Sequence, residues 1–219
     1  MSIKGLIFDL DGTVTLTQQF HAQAFIEVFK NHGQHFTAED DARFSGRGAH
    51  CTFPEFFAEK GITISKEQTE ALSQEKNEVY KKIIRQSEIK PVPGVEKFLE
   101  AKQSEGFKII MATGNKLDST EYLLGQVGLR KYFADIVTNE HITKSKPAPD
   151  IFLKAAEKLG LKPEECIVFE DAVNGVTGAK AAKMKCIALK TTTPEGKLRE
   201  AGADYLINSY NEVSPEMLT

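Results

Sequence analysis

From Val95 onward the chain alternates between two grammars, and this alternation constrains the fold more than any other feature. Apolar residues at three- and four-residue spacing predict helices over Val95–Ser104, Ser119–Val127, Pro149–Leu159, Gly175–Ala182 and Pro194–Ala201. Between them, short apolar runs predict strands over Phe107–Ala112, Asp135–Thr138, Cys166–Phe169, Cys186–Leu189 and Tyr205–Ile207. A strand–helix–strand series of this kind closes by right-handed crossovers into a parallel sheet with helices on its faces. The first apolar segment, Ile3, Leu6, Ile7 and Phe8, stops at Gly12 and reads as one more doubly buried strand, expected near the sheet's centre.

A different pattern separates that first strand from the rest. Ala22, Phe25, Ile26, Val28 and Phe29 lie on one helical stripe ending near Gly33, and further helical segments follow at Thr37–Phe44, His50–Lys60 and Lys66–Ser87. Eight of the 14 phenylalanines fall between Phe20 and Phe57, enough for a separate aromatic core. Ile89–Gly94, with Pro91 and Pro93 one residue apart, resists helix and central strand alike and reads as a linker. The predicted class is α/β: a Rossmann-like parallel-sheet core (1–14 and 90–219) with an inserted all-helical cap (15–89).

With 219 residues and 41% hydrophobic content the chain can bury a substantial core. A net charge of −3, from 28 basic and 31 acidic residues, argues against nucleic acid or an anionic membrane as the main partner. No run of 18 apolar residues is present, and the first strand begins too early to leave room for a signal peptide, so a cytoplasmic location is expected. A monomer is expected. Cys51, Cys166 and Cys186 show no metal or redox spacing, and Cys166 and Cys186 read as small buried hydrophobes.

The predicted strand ends carry the polar chemistry. Asp9 and Asp11 lie two apart at the end of the first strand, so both carboxylates can face one site, one as nucleophile or metal ligand and the other as proton carrier. Their mutual repulsion points to a hard cation such as magnesium, although Asp-Leu-Asp-Gly is also ordinary turn chemistry. Thr113-Gly114-Asn115-Lys116 ends the second strand as a phosphate seat or a plain strand-ending turn. Lys146 stands in a loop stiffened by Pro147 and Pro149, either held toward a site or solvated. Glu170 and Asp171 end the fourth strand as further oxygen donors, or as partners of the next helix's amino terminus.

Taken together in this order, Asp9-Leu10-Asp11-Gly12-Thr13, Thr113, Lys146 in Ser-Lys-Pro-Ala-Pro-Asp, and Glu170-Asp171 resemble the four motifs of the haloacid dehalogenase-like superfamily over nearly the whole chain. Ser145–Phe152 is especially similar to the β-phosphoglucomutase-like branch. The resemblance implies that Asp9 attacks a phosphoryl group while Asp11 serves as acid and base. It implies that Thr113, Gly114 and Asn115 hold phosphate oxygens, and that Lys146 bridges nucleophile and phosphate. Glu170 and Asp171 then complete a magnesium site with Asp9 and the Asp11 carbonyl. The second acid of that pair is absent from true dehalogenases, so dehalogenation is rejected.

In the insert, Phe44–His50 is expected to form a loop over the pocket, with Arg47 gripping a substrate phosphate or carboxylate and His21 contacting Asp11 or the substrate. Ser45 stands where the mutase branch has lysine, which favours a magnesium-dependent phosphatase acting on a small phosphorylated metabolite, a sugar or polyol phosphate. The alternatives are a hexose-phosphate mutase and a non-catalytic phosphate-metabolite sensor.

Overall fold

A computed structural model of the chain describes residues 2–44 and 48–219. It divides into two compact units, Thr17–Glu88 and Met1–Leu16 with Ile89–Thr219. The first is helical: α1 (Gln18–Asn31), α2 (Ala38–Phe44), α3 (Ala49–Glu59) and α4 (Lys66–Gln86). α4 begins with a capping box, in which the Ser65 hydroxyl accepts from Gln68 N–H at 3.2 Å while the Ser65 N–H donates to Gln68 Oε1 at 2.7 Å. The phenylalanine cluster forms the core of this unit. Phe29 is fully buried, its ring centroid 4.3 Å from Phe56, 4.7 Å from Phe36 and 5.0 Å from Phe53.

The second unit is a six-stranded parallel sheet: β1 (Gly5–Phe8), β2 (Lys108–Ala112), β3 (Ile136–Val137), β4 (Cys166–Glu170), β5 (Lys185–Leu189) and β6 (Tyr205–Ile207). The order is β3-β2-β1-β4-β5-β6, and the helices α5 (Val95–Ser104), α6 (Leu117–Gln126), α7 (Asp150–Leu159), α8 (Val173–Ala181) and α9 (Glu195–Glu200) alternate with the strands. The α/β class is therefore as predicted. β1 lies between β2 and β4, with Phe8 opposite Met111 on one side and Phe169 on the other, and all four of its residues are buried. Its period-two alternation serves both faces. Ile7 joins Ile110, Val168, Phe152 and Val176 in one cluster, while Phe8 stacks on Phe169 at 4.6 Å and meets Phe133 edge-on at 5.9 Å.

The strand order puts a topological switch between β1 and β4, where the chain's progression along the sheet reverses, and the crevice there opens at the strands' carboxyl ends. Among the described residues no helix is long and apolar enough to cross a membrane. Cys166 and Cys186 are buried, as their apolar settings suggested.

Most element boundaries shift by one or two residues from the sequence reading, and at β3 and α8 the shift has a local cause. β3 shrinks to Ile136–Val137 because the polar residues on either side engage in local bonds: Asp135 Oδ1 accepts from Ile136 N–H at 2.7 Å, and the Thr138 hydroxyl accepts from Glu140 N–H at 3.3 Å to start a short 3-10 turn. α8 starts at Val173, two residues before Gly175. Gly175 is thus inside a helix, where glycine costs about 1 kcal/mol relative to alanine. Space explains it. A Cβ there would stand 1.7 Å from Glu170 Oε1 and 1.8 Å from Glu170 Cδ, so the carboxyl group of Glu170 occupies the room a side chain would take.

Replacing Phe29 by alanine should lower the stability of the helical unit by about 3–5 kcal/mol, read from urea unfolding. A loss below about 1 kcal/mol would contradict the aromatic core, since large-to-small changes at well-packed sites cost more than that. Gly175→Ala should cost about 1–3 kcal/mol by overpacking in the wild-type background. In a Glu170→Ala background the same change should be neutral or stabilising, because the space is vacated. Additive effects in this double-mutant cycle would contradict the steric coupling.

Candidate active site at the carboxyl edge of the sheet

β1 continues past Phe8 by one more ladder bond, Asp9 N–H to Phe169 O at 3.0 Å, so Asp9 is fixed at the switch crevice itself. The chain then turns. Gly12 takes φ +77°, and bonds from Thr13, Val14 and Thr15 N–H to the Leu10 carbonyl close a tight loop. Asp9 and Asp11 are 8% and 9% exposed.

Lys146 reaches this point from the loop before α7. Its ammonium donates to Asp9 Oδ1 at 2.6 Å, Glu170 Oε1 at 2.7 Å and the Ala112 carbonyl at 3.2 Å. It also lies 5.0 Å from the Phe152 ring centroid. Three strand ends, those of β1, β2 and β4, thereby share one largely buried cation. Burial pushes the Asp9 carboxyl up, Lys146 partly offsets this, and Glu170 and Asp11 push it further, to about 7. For Lys146 burial favours the neutral amine, but Asp9 and Glu170 outweigh it and hold the ammonium well above its ordinary value.

Glu170 is committed at both oxygens. Oε1 meets Lys146, and Oε2 accepts from the N–H groups of Asp171 at 2.8 Å and Ala172 at 2.9 Å. Asp171, 3% exposed, is held differently: the Thr13 hydroxyl donates to Oδ1 at 3.3 Å and the Thr192 hydroxyl donates to Oδ2. Burial raises the Asp171 carboxyl well above its ordinary value; Glu170 and Asp9 add to this and Thr192 opposes it.

The second strand's loop contributes an unexpected contact. Asn115 Nδ2 donates to Asp11 Oδ2 at 2.8 Å, while Asn115 N–H donates to the Thr113 hydroxyl at 3.1 Å. The Asn115 side chain, for which sequence reading offered no expectation apart from the phosphate seat, thus positions the Asp11 carboxylate. The Gly114 carbonyl accepts from Asn139 at 3.3 Å. Lys116 points elsewhere, to Glu140 at 3.0 Å with both side chains about half exposed, an ion pair worth about 0–1 kcal/mol.

Of the cap residues, His21 lies in α1 with its ring stacked on Tyr80 at 4.0 Å and its Nδ1 2.5 Å from Lys76 Nζ. Lys76 is only 6% exposed and faces the Phe25 and Tyr80 rings at 5.1 and 4.9 Å. Four residues after Leu72 and four before Tyr80, it shares the buried face of α4 with them, although its residue type alone suggests exposure. Arg47 and Ser45 lie outside the described residues.

Among the described residues no three carboxylate, imidazole or thiol side chains stand together as a ready metal cage. The donor chemistry nevertheless fits a hard divalent cation. Asp9 and Glu170 flank the Lys146 ammonium, the buried Asp11 and Asp171 follow each of them in the chain at the same sheet edge, and among the described residues the donors these four offer are carboxylate oxygens. Glu170 is the member least suited to direct ligation, because Lys146 and two loop amides already occupy its oxygens. Sequence reasoning also passed over Gly175, Thr191 and Thr192. The only signal for the threonines was their position after β5, at the same sheet edge.

Several comparisons bear on this arrangement. The chain is 33% identical to the putative phosphatase YhcW of Bacillus subtilis, over 99% of its own length and 96% of that protein. It is 33% identical to the fructose-1-phosphate phosphatase YqaB of Escherichia coli, over 85% and 96% of the two chains. The crystal structure of β-phosphoglucomutase from Clostridium difficile superposes with a TM-score of 0.86 at 26% identity, covering 98% of this chain and 94% of that one. The model of the haloacid dehalogenase-like hydrolases matches residues 3–183, across the Asp9–Thr13 loop, the Lys146 loop and the Glu170-Asp171 pair. The chain belongs to the haloacid dehalogenase-like hydrolase family.

Proposed function

We propose that the protein is a magnesium-dependent phosphatase of a small phosphorylated metabolite, a sugar or polyol phosphate, working through an aspartyl-phosphate on Asp9. The observation that carries this reading is the Lys146 ammonium 2.6 Å from Asp9 Oδ1 at the switch crevice, with the Asp11 carboxylate two residues on and held by Asn115. The names of the relatives, a fructose-1-phosphate phosphatase among them, point to the same substrate class.

In the first half-reaction an Asp9 oxygen forms a bond to phosphorus as the bond to the leaving alkoxide breaks, and Asp11 gives that oxygen its proton. Lys146 holds the attacking carboxylate in place and balances charge as it passes to the phosphoryl group. The Thr113 hydroxyl, which accepts from Asn115 N–H, has its own proton to offer a phosphoryl oxygen. In the second half-reaction Asp11 takes a proton from water as the water attacks phosphorus and frees Asp9. Asp9, Asp171 and the Asp11 carbonyl are the residues that would hold magnesium, which when bound draws negative charge from the phosphoryl oxygens. The helical unit takes the part of a substrate-selecting cap in this reading, on the sequence resemblance alone.

A phosphate-release screen over phosphorylated metabolites, with magnesium and with chelator, tests the proposal. At least one sugar or polyol phosphate should release phosphate only when magnesium is present. Asp11→Asn should lower kcat by about 10²–10⁴-fold, the range for a lost general acid and base. No release from any compound, or equal release under chelator, would contradict the proposal. Conversion of β-glucose 1-phosphate to glucose 6-phosphate with a bisphosphate primer, instead of to free phosphate, would transfer the reading to a mutase, the activity of the similar C. difficile enzyme.

A further inference from the structure

We infer that Thr192, on the loop between β5 and α9, is a positioning residue for Asp171, and through Asp171 sets the affinity for the divalent cation. The inference rests on the reading that Asp171 is a cation ligand. A carboxylate at a strand end can rotate, and it presents about four lone-pair directions. Here each oxygen takes one hydroxyl donor from a different loop, Thr13 of the β1 loop on Oδ1 and Thr192 of the β5 loop on Oδ2. Two donors on opposite oxygens fix the rotation and leave the remaining lone pairs of both oxygens for a cation.

The neighbouring residue extends the same clamp. The Thr191 hydroxyl donates to the Gly12 carbonyl at 2.5 Å, so the β5 loop also holds the main chain directly after Asp11. Gly12, Asp171 and Thr192 are in contact: a Cβ on Gly12 would stand 2.2 Å from Asp171 Oδ2 and 2.9 Å from Thr192 Cγ2. One loop therefore fixes both the Asp171 carboxylate and the backbone directly after Asp11. Outer partners of this kind orient metal-ligating groups, and their loss lowers metal affinity or activity by about 10–100-fold.

A purely structural role is the competing explanation, since the Thr192 hydroxyl also lies 3.3 Å from the Asp171 carbonyl. The two separate in the response to magnesium. Thr192→Val keeps the shape and removes the donor, Thr192→Ser keeps the donor, and Thr192→Ala removes the donor without crowding the loop. Magnesium alone is titrated into the full-length chain while the melting temperature is followed, and the half-saturating magnesium concentration for phosphate release is measured in parallel.

Thr192→Val and Thr192→Ala should weaken magnesium by about 10-fold or more in both measurements, with kcat at saturating magnesium largely restored. Thr192→Ser should stay within about twofold of wild type, since the donor that orients the ligand is retained. Unchanged magnesium affinity in the donor-less variants, with a lowered metal-free melting temperature or without one, overturns the inference alone. A wild-type chain that responds to magnesium in neither measurement overturns the inference together with the proposed function.

Discussion

Carboxylates crowded at a buried strand edge repel one another unless positive charge or a bound proton relieves them, and in this molecule Lys146 supplies positive charge to two of the four. Its ammonium touches Asp9, Glu170 and the last carbonyl of β2 at once, and thus ties three strand ends together. Removing one partner of a buried ion pair costs about 3–5 kcal/mol, because the other charge is left without compensation. Another ammonium at this edge, Lys116, is spent on the exposed carboxylate of Glu140. Most of what surrounds Lys146 can be understood as keeping its two acidic partners in reach. β1 and β4 pair in register so that Asp9 and Glu170 follow Phe8 and Phe169, and Gly175 leaves room for the Glu170 carboxyl group against α8.

The Asp9–Thr13 loop is held through its backbone as well as through its charge. Tyr210, 3% exposed among Phe8, Phe98 and Phe169, donates its hydroxyl to the Thr13 carbonyl at 3.0 Å. Val92 N–H donates to the Val14 carbonyl and Thr191 to the Gly12 carbonyl. Three successive carbonyls, those of residues 12, 13 and 14, are thus satisfied by three segments distant in sequence. A loop so restrained keeps its carboxylates in one geometry, which is the precondition for a fixed donor set to act without reorganising.

The sheet was legible because a buried parallel strand and an amphipathic helix leave different periods in the residue pattern. β1 could be placed at the centre from its unbroken apolar run, and its neighbours from the alternation that follows Val95. What escaped the pattern were contacts set by direction, not by period. Nothing in Thr113-Gly114-Asn115 announces that the Asn115 side chain faces Asp11. Asp135 and Thr138 looked like strand ends, yet their side chains bond to neighbouring amides and shorten β3. Glu170 reads as an oxygen donor beside Asp171, and nothing in its residue type announces that Lys146 and two loop amides engage its oxygens. Thr191 and Thr192 carry no periodic signal, since a hydroxyl on a loop announces its partner only when the fold supplies one.

Everything proposed for the chemistry turns on whether Asp9 carries the phosphoryl group. Acid quenching of the chain a few milliseconds after mixing with a phosphorylated substrate identified by the release screen, followed by peptide mass spectrometry, addresses this directly. A phosphoryl adduct on Asp9 that forms and decays within one turnover, and is absent from Asp9→Asn, is the expected result. Full turnover with no adduct at any quench time, or an adduct on another residue, would contradict the central claim.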